Sequence, residues 1–143
     1  MTVAQPVHAT AVAQWTPGKG WRAVLISGRP GAGKSDLALR LIGRGWRLVA
    51  DDYVNVFVSG GALYATAPDA IRGRIEARGV GVVGACARDV VRLVLAIDLV
   101  GSAPERLPDA EIRSVAGHAL PMLRLAGFET SAVEKVAAAI APL

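Results

Sequence analysis

Apolar and polar residues alternate along much of this chain, and breaks in the alternation mark where it turns. Val7-His8-Ala9-Thr10-Ala11-Val12-Ala13 reads as a first strand of small and β-branched residues. Trp15 to Gly20 is a turn cluster, and Trp21 to Ile26 returns as a second strand, so the two predict a hairpin. From Asp36 to Ile42 the spacing becomes helical, which predicts a helix over about Lys34 to Ile42. Gly43-Arg44-Gly45 ends it, where glycine suits the left-handed C-terminal position. Trp46-Arg47-Leu48-Val49-Ala50 is again a strand, giving a strand–loop–helix–strand unit of parallel type.

Asp51-Asp52 closes that strand. Tyr53 to Val58 and Ala62 to Thr66 then alternate around Ser59-Gly60-Gly61, a hairpin signal. Ile71 to Gly84 is punctuated by glycine and reads as bent strand and loop. Val90 to Leu99 is a strong strand, apolar except for Arg92 and Asp98. Asp109 to Gly117 predicts a helix and Leu120 to Leu125 a last strand. Thr130 to Ala141 predicts a closing helix, capped by Thr130 or Ser131, with Pro142 beyond. No repeat or long linker divides the chain. The expected fold is a single-domain α/β protein with a mixed, largely parallel sheet flanked by helices.

Composition narrows the function. The 143 residues are 52% hydrophobic and 20% charged, which excludes a disordered chain. A net charge of +4 favours anionic ligands. Yet the basic residues are scattered and aromatics are 5% of the chain, so no nucleic-acid role is expected. Cys86 is the only cysteine, which rules out an intrachain disulfide and Cys/His zinc sites. Met1 to Trp15 has no basic residue ahead of an apolar run, and no uncharged stretch approaches the roughly 20 residues of a membrane span. The expectation is a cytoplasmic protein with no membrane association.

The most informative stretch is Gly28-Arg29-Pro30-Gly31-Ala32-Gly33-Lys34-Ser35, a glycine, four residues, then Gly-Lys-Ser. It lies between the run Ala23-Val24-Leu25-Ile26 and the predicted helix, the setting of a phosphate-binding loop (P-loop). Glycines let the backbone wrap closely and turn its N–H groups inward, and the opening helix adds the positive end of its dipole. Lys34 brings a point charge for the β/γ-phosphates, and the Ser35 hydroxyl is placed to ligate Mg²⁺. Asp51 and Asp52 fall at the C-terminal end of the next strand, the edge where α/β proteins gather ligands. Adjacent carboxylates repel, which suits one of them to general-base work.

Val7 to Thr10, the P-loop running on through Leu41, Arg47-Leu48-Val49-Ala50-Asp51-Asp52, and Ile75-Glu76-Ala77-Arg78-Gly79-Val80-Gly81 follow one another as in HPr kinase/phosphorylase. The chain resembles the short form of that family, the catalytic domain alone, from His8 to Arg106. The resemblance implies an ATP- and Mg²⁺-dependent protein serine kinase acting on the phosphocarrier HPr, with dephosphorylation by phosphorolysis as the reverse reaction. By position it makes His8, Lys34, Asp52 and Arg106 catalytic and Ser35 and Glu76 magnesium ligands; beside them the adjacent carboxylate makes Asp51 a further acid for the metal or for tuning Asp52. It implies an HPr-type phosphocarrier as partner and allows a homo-oligomer, since long members form hexamers. Two departures stand out. Pro30 replaces a usual serine, and the family's Pro-Val-x-Pro-Gly-Arg-Asn segment, linked to dephosphorylation, reads Leu123-Arg124-Leu125-Ala126-Gly127-Phe128-Glu129 here. A second reading is a regulatory nucleotide-binding module with little turnover. A third, a small-molecule kinase, lacks an arginine-rich lid segment.

Overall fold

The computed structural model describes residues 5–102, 104 and 109–143. Strands β1 (Gln5–His8), β2 (Thr10–Thr16) and β3 (Gly20–Ser27) lead into helix α1 (Lys34–Ile42). Strands β4 (Arg47–Ala50), β5 (Tyr53–Ser59) and β6 (Ala62–Thr66) follow, then a 3₁₀ turn (Asp69–Ile71) and the small hairpin β7 (Arg74–Ala77) and β8 (Gly81–Gly84). The long strand β9 (Val90–Val100), the pair β10 (Glu111–Val115) and β11 (His118–Ala126), and helix α2 (Ala132–Ile140) complete the described chain.

The main sheet has nine strands, in the order β1-β5-β6-β9-β3-β2-β4, with β11 beside β9 and β10 beyond it. It is mixed as expected, but mainly antiparallel. Only β3–β9 and β11–β9 run parallel; the other pairings, from β1–β5 to β10–β11, do not. The reason lies in β2. It pairs antiparallel with β3 on one edge and with β4 on the other, so the strands flanking α1 are parallel in direction but never touch. The predicted first strand is also two. The chain breaks at Ala9, whose N–H donates to Asp52 O (3.2 Å), and β1 and β2 take different partners.

The stretch predicted as a helix over Asp109 to Gly117 is the strand β10. Glu111, Arg113 and Val115 turn inward while Ile112 and Ser114 are exposed, and Ala116 and Gly117 turn the chain with φ of 50° and 76°. That is the positive-φ pair a two-residue hairpin needs.

Strand alternation splits the core between the two faces of the sheet. Val12, Val24, Ile26, Ile97, Leu99 and Leu125 meet Leu37 and Leu41 of α1 and Val136 and Ile140 of α2. Each fully buried leucine there contributes roughly 1.5–3 kcal/mol. Helices therefore pack on one face only. The other face, with Ala11, Ala13, Ala23 and Leu25, is closed by the curling sheet itself through Val54 and Val56 of β5, Leu63 of β6 and Leu120 of β11.

Candidate active site

Antiparallel β2 decides which residues meet. Its start lies beside the C-terminal ends of β3 and β4, with Thr10 opposite Ile26 and Ala11 opposite Ala50. His8 and Thr10 thus arrive where the P-loop leaves β3 and where Asp51 and Asp52 leave β4. Ile75 is buried under α1 among the apolar residues of that face, so the alternation of β7 leaves Glu76 exposed toward the same place. A cleft of about 540 Å³ is lined by His8, Thr10, Lys34, Ser35, Asp52 and Glu76.

The segment Gly28–Ser35 leaves β3 through two positive-φ glycines and enters α1. Arg29 to Ala32 form a turn closed by Ala32 N–H to Arg29 O (3.0 Å), with Pro30 second and Gly31 third at φ 83°. Proline second and a positive-φ glycine third make the pattern of a type II turn, so Pro30 favours this shape. Gly33 has φ 100° and precedes α1. Among the described residues the backbone N–H groups of Gly33, Lys34, Ser35 and Asp36 have no protein acceptor, as expected of a first helical turn. They form a donor set suited to an anion. Lys34 folds over the loop, its Nζ donating to Gly28 O (2.9 Å). Gly28, Arg29, Gly31 and Ala32 make up the rest of the segment between β3 and α1.

The two aspartates have separate surroundings. Asp51 is 6% exposed, and its carboxylate accepts from Ser35 Oγ (2.8 Å), Thr10 Oγ1 (2.9 Å) and the Glu76 N–H (3.0 Å). One carboxylate therefore ties together the P-loop helix, β2 and β7. Asp52 points outward from a three-residue turn, closed by Tyr53 N–H to Asp51 O (2.8 Å), that holds its φ at 68°. Its Oδ1 lies 3.1 Å from His8 Nε2, with the two side chains 67% and 51% exposed. The His8 ring also leans on Tyr53, its strand partner, at 5.2 Å between centroids. Arg106 lies outside the described residues.

Three contributors escaped the sequence reading. Thr10 is fully buried, yet polar and bonded to Asp51. Arg40 donates to the carbonyls of Gly127 and Glu129, binding the segment after β11 to α1. Phe128, in that segment, stands with its ring 2.9 Å from where a Cβ on Gly33 would be. Behind the P-loop, Arg124 bonds Glu111 (2.8 Å) and Asp98 (3.0 Å), and its hydrogen bonds hold the Glu111 carboxyl below the usual carboxylate range.

Among the described residues no three His, Cys, Asp or Glu side chains are grouped to hold a metal alone. The Ser35 hydroxyl and Glu76 carboxylate in one cleft suit magnesium all the same. That ion takes hard oxygens and is usually held by one or two protein oxygens together with substrate phosphates and water. No helix among the described residues is long and apolar enough to cross a membrane.

Known proteins resemble this chain in sequence and in fold. The family model for the HPr serine kinase C-terminal domain matches residues 8–109. HPr kinase/phosphorylase of Clostridium kluyveri is 52% identical over 60 residues, 42% of this chain and 20% of that protein. The Brevibacillus brevis enzyme of the same name is 51% identical over 61 residues, again 20% of its length. The matched segment thus spans only a small part of these curated relatives. The solved structure of the Hpr(Ser) kinase/phosphatase from Coxiella burnetii superposes with a TM-score of 0.70 at 26% identity, covering 84% of this chain and 78% of that one.

Proposed function

The chain belongs to the family of the HPr serine kinase C-terminal domain, and from that premise we propose that it transfers the γ-phosphoryl group of ATP to a serine of an HPr-type phosphocarrier protein. The observation that carries the proposal is the joining of the P-loop to Asp51 through Ser35, with Asp52 facing the same cleft.

The free N–H groups at the start of α1 and the ammonium of Lys34 would hold the phosphates and stabilise charge on their oxygens. Ser35 and Glu76 would hold magnesium, which would supply positive charge to offset the negative charge of the phosphates. Asp51 keeps the Ser35 hydroxyl hydrogen turned to itself, leaving the oxygen lone pairs for the metal. It acts through Ser35 and is not itself a ligand. Asp52, exposed at the mouth, accepts the proton of the incoming serine hydroxyl, and His8 orients its carboxylate. In the reverse direction a protonated Asp52 would give that proton back to the leaving serine. The site works as one P-loop unit.

Labelled ATP·Mg²⁺ and purified HPr-type phosphocarrier test this, followed by excess inorganic phosphate. Label on a serine of the carrier is the expected result, and its release by phosphate would add the phosphorylase direction. ATP binding without any labelled carrier would overturn the kinase reading and leave a regulatory module.

A further inference from the structure

We propose that the space on the far side of the P-loop from Asp52 is the nucleoside subsite, with the ring of Phe128 as the platform on which a purine base stacks. The inference rests on the P-loop reading above and adds the part of the ligand that the loop cannot recognise.

Two spaces adjoin the loop. One is the cleft with Lys34, Ser35 and Asp52. The other, of about 1100 Å³, is lined by Arg29, Leu99, Val100, Gly127, Phe128 and Glu129 among others. The two share Pro30, Gly31 and Phe128, so the ring stands between them. A phosphate chain on the loop has two ends. Its reacting end must face Asp52, where an acceptor hydroxyl enters, so its other end leads past Pro30 and Gly31 into the larger space. That space is more than large enough for a nucleoside, and its walls are mostly apolar side chains and backbone, as small-molecule pockets usually are.

Phe128 is not a stray exposed aromatic, although it is 63% exposed. The residue before it is packed so closely that a Cβ on Gly127 would come 2.7 Å from Ala32 O. Arg40 grips the carbonyls on both sides, those of Gly127 and Glu129, and Lys135 pairs with Glu129. A large apolar ring is thus fixed against the P-loop while much of its surface stays open to water. Such a ring is preorganised for a flat partner and loses little freedom on binding. The acidic neighbours are already committed, Asp98 to Arg124 and Glu129 to Lys135, and Arg29 adds one basic side chain beside the loop. Stacking, more than ion pairing, is what the wall offers.

The test compares Mg-ATP with Mg-tripolyphosphate by calorimetry on the full chain and on Phe128→Ala and Phe128→Trp. Base stacking on an aromatic side chain predicts roughly 10- to 100-fold weaker ATP binding by Phe128→Ala. Tripolyphosphate binding should change by less than about twofold, and Phe128→Trp should bind ATP at least as well as wild type. Unchanged ATP affinity in Phe128→Ala, or an equal loss for both ligands, would overturn the subsite while the P-loop reading stands. A wild-type chain that binds neither ligand would overturn the P-loop reading itself.

Discussion

Replacing Asp51 separates the structural and chemical parts of the site. In Asp51→Ala three donors lose their acceptor: the Thr10 hydroxyl, the Ser35 hydroxyl and the Glu76 amide. Thr10 is fully buried, and an unmet buried donor costs about 1–3 kcal/mol. The other two are half-buried and can turn to water, so each loses about 0.5–1.5 kcal/mol of net bond. The sum is about 2–6 kcal/mol, a large share of the 5–15 kcal/mol typical of a domain. At a urea slope of about 2 kcal/mol per molar, the unfolding midpoint should fall by roughly 1–3 M. Asp51→Asn should behave otherwise. Its carbonyl can serve the Glu76 N–H, which can only donate, while its amide donates to two hydroxyls that can accept. The bonds survive in neutral form, at a cost of about 1–2 kcal/mol. But the Ser35 hydrogen is then displaced toward the metal position, so phosphoryl transfer should collapse and demand far more magnesium. Urea titration followed by fluorescence gives the first quantity, and transfer against Mg²⁺ concentration the second. Equal destabilisation by Ala and Asn would refute the bond-reversal argument. A stable Asp51→Ala would refute the network.

Other changes probe other contacts. Asp52→Asn should keep its stability, because asparagine tolerates φ 68°, while losing at least about 100-fold in transfer rate; a near-normal rate would exclude Asp52 as the base. Lys34→Ala should lower affinity for tripolyphosphate and ATP alike in calorimetry. Gly33→Ala should lose about 1–2 kcal/mol from its φ of 100° alone, with a further loss from the Phe128 ring that Phe128→Ala in the double variant restores in thermal melts. Glu111 has a folded pKa below its unfolded one because Arg124 bonds the charged form. Its contribution is therefore complete above the unfolded carboxylate pKa of about 4.3 and lost as pH falls through the lower folded value. Wild type and Arg124→Gln should accordingly differ in stability at neutral pH and converge in acid, by urea titration at each pH.

How far the sequence could be read follows from where each signal sits. Helix α1 falls on Lys34–Ile42 as the spacing predicts, since periodicity and the glycines after it are local. The β5–β6 hairpin is as plain, with Gly60 and Gly61 at φ 57° and 79°. Strand β10 carries a local signal as well, its alternation and the Ala116-Gly117 turn, but a short polar segment of this kind reads equally as a helix. What no window could contain is the insertion of β2 between β3 and β4, because a strand's partners are chosen by the whole sheet. The same holds in the site. The P-loop and the acids after β4 announce themselves within their own segments. The division of labour between buried Asp51 and exposed Asp52 depends on Thr10, and the placing of Phe128 depends on Arg40 and Gly33, all remote in sequence.

The wedged strand β2 also bears on the order of events in folding. Its two neighbours follow it in the chain, and each offers the other edge of the slot that it fills. The β2–β3 hairpin sets Thr10 beside the loop, but until β4 docks on β2 Asp51 lacks a partner on which its burial depends. Closing the loop through β3 and α1 that separates β2 from β4 is the slower, entropically costly step. Competence to hold a nucleotide should thus arise late and all at once. A ligand that binds only the closed sheet would slow its opening, and hydrogen exchange along β2 should report occupancy of a cleft the strand touches only with its first residues.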